Sequence, residues 1–264
     1  MTAITSTSPS PYRVTTGRVL RSEWHKLRSL RSTWITLLSA ASLVLGVGLV
    51  MGTTYTSDGG DSDIDTVVLV LYGNLLGQLC VVVLGILVTA GEYSTGMIRA
   101  SLTVVPRRLP VLRAKAAVFT AVAFATMLAT DLVTFLAAQF FLHDTDQAAG
   151  LTDPGVLRAI AGNAAGVTLL SLIALGLGCA LRSVPGSIGA FIGGVLVLPE
   201  VLGMLPYDAV DNALTYFPTQ AAGALGSSTP PPGAAAPGAA LLALCLWAGA
   251  SLAAAALVLR RRDA

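Results

Sequence analysis

The placement of charged residues along the chain constrains the fold more than any other feature. The Lys and Arg residues fall almost entirely into four segments, namely residues 13–31, residues 99–115, Arg182 and residues 260–262. The Asp residues of the loops fall into three intervening segments, namely residues 58–65, 144–153 and 208–211. Apolar runs separate these segments, and the positive-inside rule produces this alternation in polytopic membrane proteins. Only Arg158 lies on the acidic side.

Six membrane spans follow, because a hydrocarbon core about 30 Å thick requires roughly 20 apolar residues of helix. The predicted spans are residues 34–52, 67–90, 116–142, 160–181, 184–204 and 239–259. The basic loops then place both termini in the cytoplasm. The composition agrees, since 54% of the residues are hydrophobic and 11% are charged. We therefore predict an all-α integral membrane protein with six transmembrane helices, which crosses the inner (plasma) membrane several times.

A basic amphipathic segment precedes the first span. Residues 1–16 are small, polar and interrupted by Pro, which predicts a disordered tail. Residues 17–33 place apolar side chains at helical spacing, and the basic side chains and Glu23 on the rest of the wheel. The candidate residues are Glu23, Trp24, Lys26, Leu27 and Arg28. This pattern predicts a helix along the inner membrane surface, and a topogenic charge cluster is the alternative. A cleavable signal peptide is not expected, because the first apolar run is too long and begins too late.

The second cytoplasmic loop contains signals for a short helix. Thr95 and Gly96 break the helix that leaves the second span, and Pro106 ends any helix that begins at Met97. The segment from Met97 to Leu102 is long enough for one or two helical turns. A short helix at the membrane surface is an element on which a cytoplasmic partner can push.

Three stretches of this chain resemble the ABC-2 type permeases of bacterial ATP-binding cassette exporters. Glu92 to Arg99, followed by Pro106-Arg107-Arg108 and Ala114-Lys115, is similar to the loop between the second and third spans of that family. Phe217 to Leu225 is similar to a Pro-centred segment before its last span, and Glu23 to Arg28 adds a third match. With the six spans, the resemblance covers nearly the whole chain.

The resemblance implies a permease subunit whose N-terminal helix and loop receive motion from a separate ATPase subunit. The implied coupling residues are Glu92, Tyr93, Gly96, Met97, Ile98, Arg99, Pro106, Arg107 and Arg108. ATP and Mg²⁺ then bind the partner, and two permease halves assemble, either as a dimer of this chain or with a related chain. The sequence supports this division, since it contains no G-x-x-x-x-G-K-[ST] phosphate loop. This chain is therefore not predicted to be an enzyme.

Polar residues inside the spans are the candidates for a translocation path. Asn74, Gln78 and Thr89 fall within an arc of about 60° on the second span. Asp131 lies in the middle of the third span, and Glu200 near the outer end of the fifth. In related exporters the second and fifth spans line the path. The alternatives are hydrogen bonds to neighbouring helices for Asn74, Gln78 and Asp131, proton coupling through Asp131, and capping of broken backbone by Glu200.

Three functional classes remain open at this point. The first is the transmembrane subunit of an ATP-driven exporter, the second a proton-coupled secondary transporter that uses Asp131 or Glu200, and the third a structural membrane anchor.

The basic clusters lie beside the membrane without interleaved aromatic residues, so lipid rather than nucleic acid is the expected partner. No metal site is expected. Leu214 to Leu225 is predicted to re-enter the outer leaflet as a helix, and four G-x-x-x-G pairs predict close helix packing without indicating which helices meet.

Overall fold

The structure is a computed structural model that describes residues 15–56, 64–94 and 108–261. These residues form helices and contain no strand. The first six helices are α1 (Thr16–Ser29), α2 (Arg31–Thr54), α3 (Thr66–Val70), α4 (Asn74–Ser94), α5 (Arg108–Leu142) and α6 (Val156–Leu181). The remaining elements are α7 (Val184–Phe191), the π-helix π1 (Ile192–Val197), α8 (Leu198–Leu202), α9 (Asp208–Leu214), α10 (Pro218–Gly226) and α11 (Pro237–Arg261).

Six helical segments of the described residues are long and apolar enough to cross a membrane. They are Arg31–Thr54, Asn74–Ser94, Leu109–Leu142, Val156–Leu181, Val184–Leu202 and Pro237–Arg261. The predicted all-α fold with six spans is therefore confirmed. The cytoplasmic location of the termini and the position of α1 on the membrane surface stay predictions.

Three helix ends differ from the predicted boundaries. The helix predicted over residues 17–33 ends at Ser29, because Leu30 is extended, and α2 begins at Arg31. The span predicted over residues 67–90 is divided by a turn between α3 and α4. α5 starts eight residues before the predicted third span. At 1.5 Å per residue it is about 52 Å long, which exceeds the thickness of a hydrocarbon core of about 30 Å.

α6 is the central helix of the bundle. In its most apolar stretch 72% of the residues are buried, whereas the corresponding shares in α2 and α11 are 28% and 17%. α6 packs against α4, α5, α10 and α11. The hydroxyls of Thr168 and Ser171 donate to the carbonyl oxygens of Ala164 and Val167 on the same helix, at 2.7 and 2.6 Å. These bonds let polar side chains occupy an apolar core.

The glycine pairs identify which helices approach closely. Three of the four G-x-x-x-G pairs pack against a neighbouring helix, and these are Gly48 and Gly52, Gly73 and Gly77, and Gly162 and Gly166. A Cβ at Gly73 would lie 2.8 Å from the Cα of Val44, so the turn between α3 and α4 fits against α2 only with glycine there. The fourth pair, Gly189 and Gly193, has no atom within 4 Å of either added Cβ.

Arg158, the basic residue that departs from the charge alternation, binds the loop after α10. Its Nη2 donates to the carbonyl oxygens of Ser227 and Ser228 at 2.8 and 3.0 Å. Asp65 holds the same loop, since its Oδ2 accepts hydrogen bonds from Ser227, Ser228 and Thr229. Burial raises the pKa of Asp65, but these hydrogen bonds outweigh burial and hold the pKa below its ordinary value. The exception in the charge pattern therefore has a structural role.

We expect the contact of α4 with α6 to tolerate no side chain at Gly85, because an added Cβ would lie 2.5 Å from the carbonyl oxygen of Ser171. Gly85→Ala should lower the free energy of unfolding by about 1–3 kcal/mol through overpacking. Gly46→Ala is the matched control, since nothing lies within 4 Å of its added Cβ. Thermal unfolding of both variants in detergent measures the difference, and equal midpoints would contradict the close contact.

Candidate functional site

A buried cluster of charges joins three helices at the basic end of the bundle. The Lys115 Nζ on α5 lies 2.9 Å from Glu23 Oε2 on α1 and 2.8 Å from Glu92 Oε1 on α4. These three side chains are at most 9% exposed. The Lys26 Nζ lies 2.9 Å from Glu23 Oε1 and 3.3 Å from Glu92 Oε1. We call Glu23, Lys26, Glu92 and Lys115 the ion cluster.

The ion cluster balances its own charge. Burial raises the pKa of Glu23, but the ammonium of Lys115 outweighs burial through its charge and its hydrogen bond, so the pKa lies below its ordinary value. Burial lowers the pKa of Lys26, but a hydrogen bond to Glu23 and the charge of Glu92 outweigh it, so that pKa is raised. Two carboxylates thus face two ammonium groups, and each compensates the desolvation of the others.

Helical spacing on α1 places Glu23 in the ion cluster. Val19, Glu23 and Leu27 recur every four residues and form the buried face of the helix. The sequence placed Glu23 on the polar side of the wheel, which is wrong, because the residue is 4% exposed. Trp24 is 45% exposed, and Arg28 is exposed as well. The carboxylate of Glu23 thus points into the bundle, where it contacts Lys26 and Lys115.

The two ends of the second cytoplasmic loop lie beside the ion cluster. α4 ends at Ser94, two residues after Glu92, and α5 begins at Arg108, seven residues before Lys115. The predicted coupling residues between these ends lie outside the described residues, and they are Gly96, Met97, Ile98, Arg99, Pro106 and Arg107. The guanidinium carbon of Arg182 lies 5.0 Å from the centroid of the Tyr93 ring. This cation–π contact links the end of α4 to the connection between α6 and α7.

A cavity of about 490 Å³ lies toward the other end of α4. Asn74 and Glu92 are separated by about 27 Å along this helix at 1.5 Å per residue. Three predicted path residues, Asn74, Gln78 and Glu200, line the cavity together with Asn163 and Gln220. Its walls come from α3, α4, α6, π1, α8 and α10, and they contain no Lys or Arg. We call this space the outer cavity.

The comparison with known families adds to this geometry. The model of the ABC-2 family transporter protein matches residues 19–197, which is more than half of the chain. The chain belongs to the ABC-2 transporter family. The match begins on α1, ends with π1 and includes all four residues of the ion cluster. No curated protein matches the chain in addition.

Asp131 joins three spans of the permease behind the outer cavity. Asn74 Nδ2 on α4 donates to Asp131 Oδ1 at 2.9 Å, and Asn163 Nδ2 on α6 donates to Asp131 Oδ2 at 3.0 Å. Asp131 is 0% exposed and does not line the cavity. Both carboxyl oxygens therefore bind neighbouring helices, which favours the structural alternative for this residue.

Thr89, the remaining path candidate, lies below the outer cavity. Its Oγ1 donates to the carbonyl oxygen of Leu175 at 3.0 Å, where α4 packs against α6. It is buried and does not line the cavity. The polar stripe predicted on the second span is thus divided between the cavity and a helix contact.

The predictions missed three residues that the structure brings to these sites. Lys115 carried a signal, because it is the last cation of the basic segment and directly precedes the apolar run of the third span. Asn163 is similarly the one amide in the apolar sequence of α6, and Gln220 lies in the Pro-centred segment. Sequence alone could not pair Lys115 and Asn163 with their partners, because these lie 23 to 92 residues away along the chain.

Lys115→Met should be far more costly than Lys26→Met. The first change leaves two buried carboxylates without their most buried cation, which typically costs about 3–5 kcal/mol. Lys26 is 28% exposed in its side chain, so water compensates part of its loss. Thermal unfolding of the permease in detergent measures both, and membrane insertion should persist in each. Equal destabilisation by the two substitutions would contradict the central position of Lys115.

Proposed function

We propose that this permease is the transmembrane subunit of an ATP-driven exporter and takes its motion from a separate ATPase chain. The observation that carries the proposal is the ion cluster. It ties α1, the end of α4 and the start of α5 at the two ends of the predicted coupling loop. A displacement of that loop would therefore move three helices together rather than one loop alone.

The partners follow from this division of labour. ATP and Mg²⁺ bind the ATPase, since this sequence lacks a phosphate loop. A second permease, either a copy of this chain or a related one, completes the transporter in the inner membrane. The helix from α7 to α8 suits such a contact, because Gly189 and Gly193 are open and Val197 and Val201 are 49% and 54% exposed.

The outer cavity is the proposed part of the export route. It combines amides and one carboxylate with apolar walls. Such a lining suits the passage of a cargo that has both polar and apolar groups. π1 and Pro199 break the regular α-helical bonding just before Glu200, and such breaks often occur at functional positions. Toward the ion cluster, the contacts of Gly85 and Thr89 close α4 against α6. A route that is closed toward the ion cluster and open at the outer cavity fits one state of alternating access.

The coupling role is tested by placing charges in the loop. Met97→Asp with Ile98→Asp should reduce co-purification of the ATPase and its transport-linked ATP hydrolysis, because a charge in an apolar docking surface is costly to desolvate. Val104→Asp with Val105→Asp is the control, since it adds the same charges to the loop beyond the predicted short helix. The permease purified alone should hydrolyse no ATP.

Intrinsic ATP hydrolysis by the purified chain would overturn the division between permease and ATPase. Wild-type recovery of the ATPase with the Met97 and Ile98 variant, together with normal transport, would instead place the contact elsewhere.

The route is tested in inverted vesicles supplied with ATP. Gln78→Leu and Glu200→Gln should change the export rate or the cargo preference by several fold while folding stays intact, because a cavity wall contacts cargo rather than the bundle. Asn212→Leu on α9 is the control, since Asn212 is exposed and lines neither the outer cavity nor the neighbouring cavity that Glu200 and Gln220 also line. Normal export by both route variants would reject this cavity.

The same assay separates the exporter from a proton-coupled transporter. Asp131→Asn keeps the shape of the side chain and removes its charge. ATP-driven export should therefore continue, either at the wild-type rate or at a moderately reduced rate. Loss of uncoupler-sensitive transport in this variant would favour the proton-coupled class.

A further inference from the structure

A groove of about 500 Å³ separates the start of α5 from the end of α11. Its walls are apolar and include Leu112 and Ala116 on α5 and Ala253 and Ala256 on α11. Arg113 and Arg260 line the same groove from the two helices. The groove therefore combines a pair of cations with an apolar surface inside one concavity.

The two arginines lack protein partners of the kind that Arg158 and Lys115 have. Both side chains are exposed, and no Asp or Glu lines the groove. Neither guanidinium makes a hydrogen bond or an ion pair with any residue in the described part of the chain. Arg158, by contrast, binds two carbonyl oxygens, and Lys115 binds two carboxylates. The positive charge of the groove is thus available to an external anion.

The predicted spans place the groove at the boundary between headgroups and acyl chains. Arg260 lies in the last turn of α11, one residue after the predicted last span, and Arg113 lies near the start of α5, three residues before the predicted third span. The small side chains of Ala116 and Ala253 follow toward the membrane interior. Basic pockets between spans at the cytoplasmic side are suited to anionic lipid headgroups.

We propose that this groove binds one anionic phospholipid. Its phosphate lies between Arg113 and Arg260, where a guanidinium donates two parallel hydrogen bonds to phosphate oxygens. One acyl chain lies against Ala116 and Ala253. The site is distinct from the outer cavity, and the proposal does not depend on what the permease exports.

The headgroup contact is tested by native mass spectrometry of the full chain, purified in detergent and supplied with phosphatidylglycerol or phosphatidylcholine. The wild-type chain should retain one phosphatidylglycerol in preference to phosphatidylcholine. Arg113→Gln with Arg260→Gln should weaken this retention by about tenfold or more, since two charge-assisted contacts are lost. Arg261→Gln is the matched control, because Arg261 is exposed on the next position of α11 and does not line the groove.

The acyl-chain contact is tested by filling the groove. Ala253→Trp occupies the apolar wall from an exposed position, so the fold is retained while the lipid is displaced and both arginines stay in place. Equal retention of the two lipids by the wild-type chain would overturn the proposal. So would a loss in Arg261→Gln as large as in the double variant, which would indicate a general surface charge, or unchanged retention after Ala253→Trp.

Discussion

The apolar environment of a membrane-spanning bundle is the constraint on which the rest of this structure depends. A polar or charged side chain inside the bundle must find its partner on another helix or on its own backbone. Asp131 accepts hydrogen bonds from Asn74 and Asn163, and Thr89 donates to the backbone of α6. Each partner fixes one span against another. In this bundle polar residues therefore determine which apolar helices meet and in which register.

The same constraint operates with full charges at the ion cluster. A buried carboxylate or ammonium is costly alone and tolerable only in a paired and hydrogen-bonded arrangement. Glu23 and Glu92 satisfy it by sharing Lys115, so α1 is attached to the bundle by charge as well as by its apolar face. α1 thereby becomes mechanically continuous with the second and third spans. This continuity is what a coupling device in an exporter would require.

Much of the fold was predictable, because hydropathy and charge placement act locally. The spans and the all-α class follow from them directly, and the family was predictable from short motifs around Glu92 and Glu23. The break before α4 was not predictable, because it reflects the close approach of Gly73 to Val44 on another helix. The inward direction of Glu23 was missed for the same reason, since its partner Lys115 lies 92 residues further along the chain.

The sequence by itself determined that the chain crosses a membrane, how many times it does so and which polar residues it carries there. Those properties depend on transfer free energies of single residues and on a helical repeat, which need no knowledge of neighbours. Only the tertiary structure decided which polar residues pair with each other and which line a cavity. It separated Asn74 and Gln78 from Thr89 on one helical stripe and left Gly189 and Gly193 open while other glycines were packed. Pairing and packing depend on contacts between helices distant in sequence, and no local pattern specifies them.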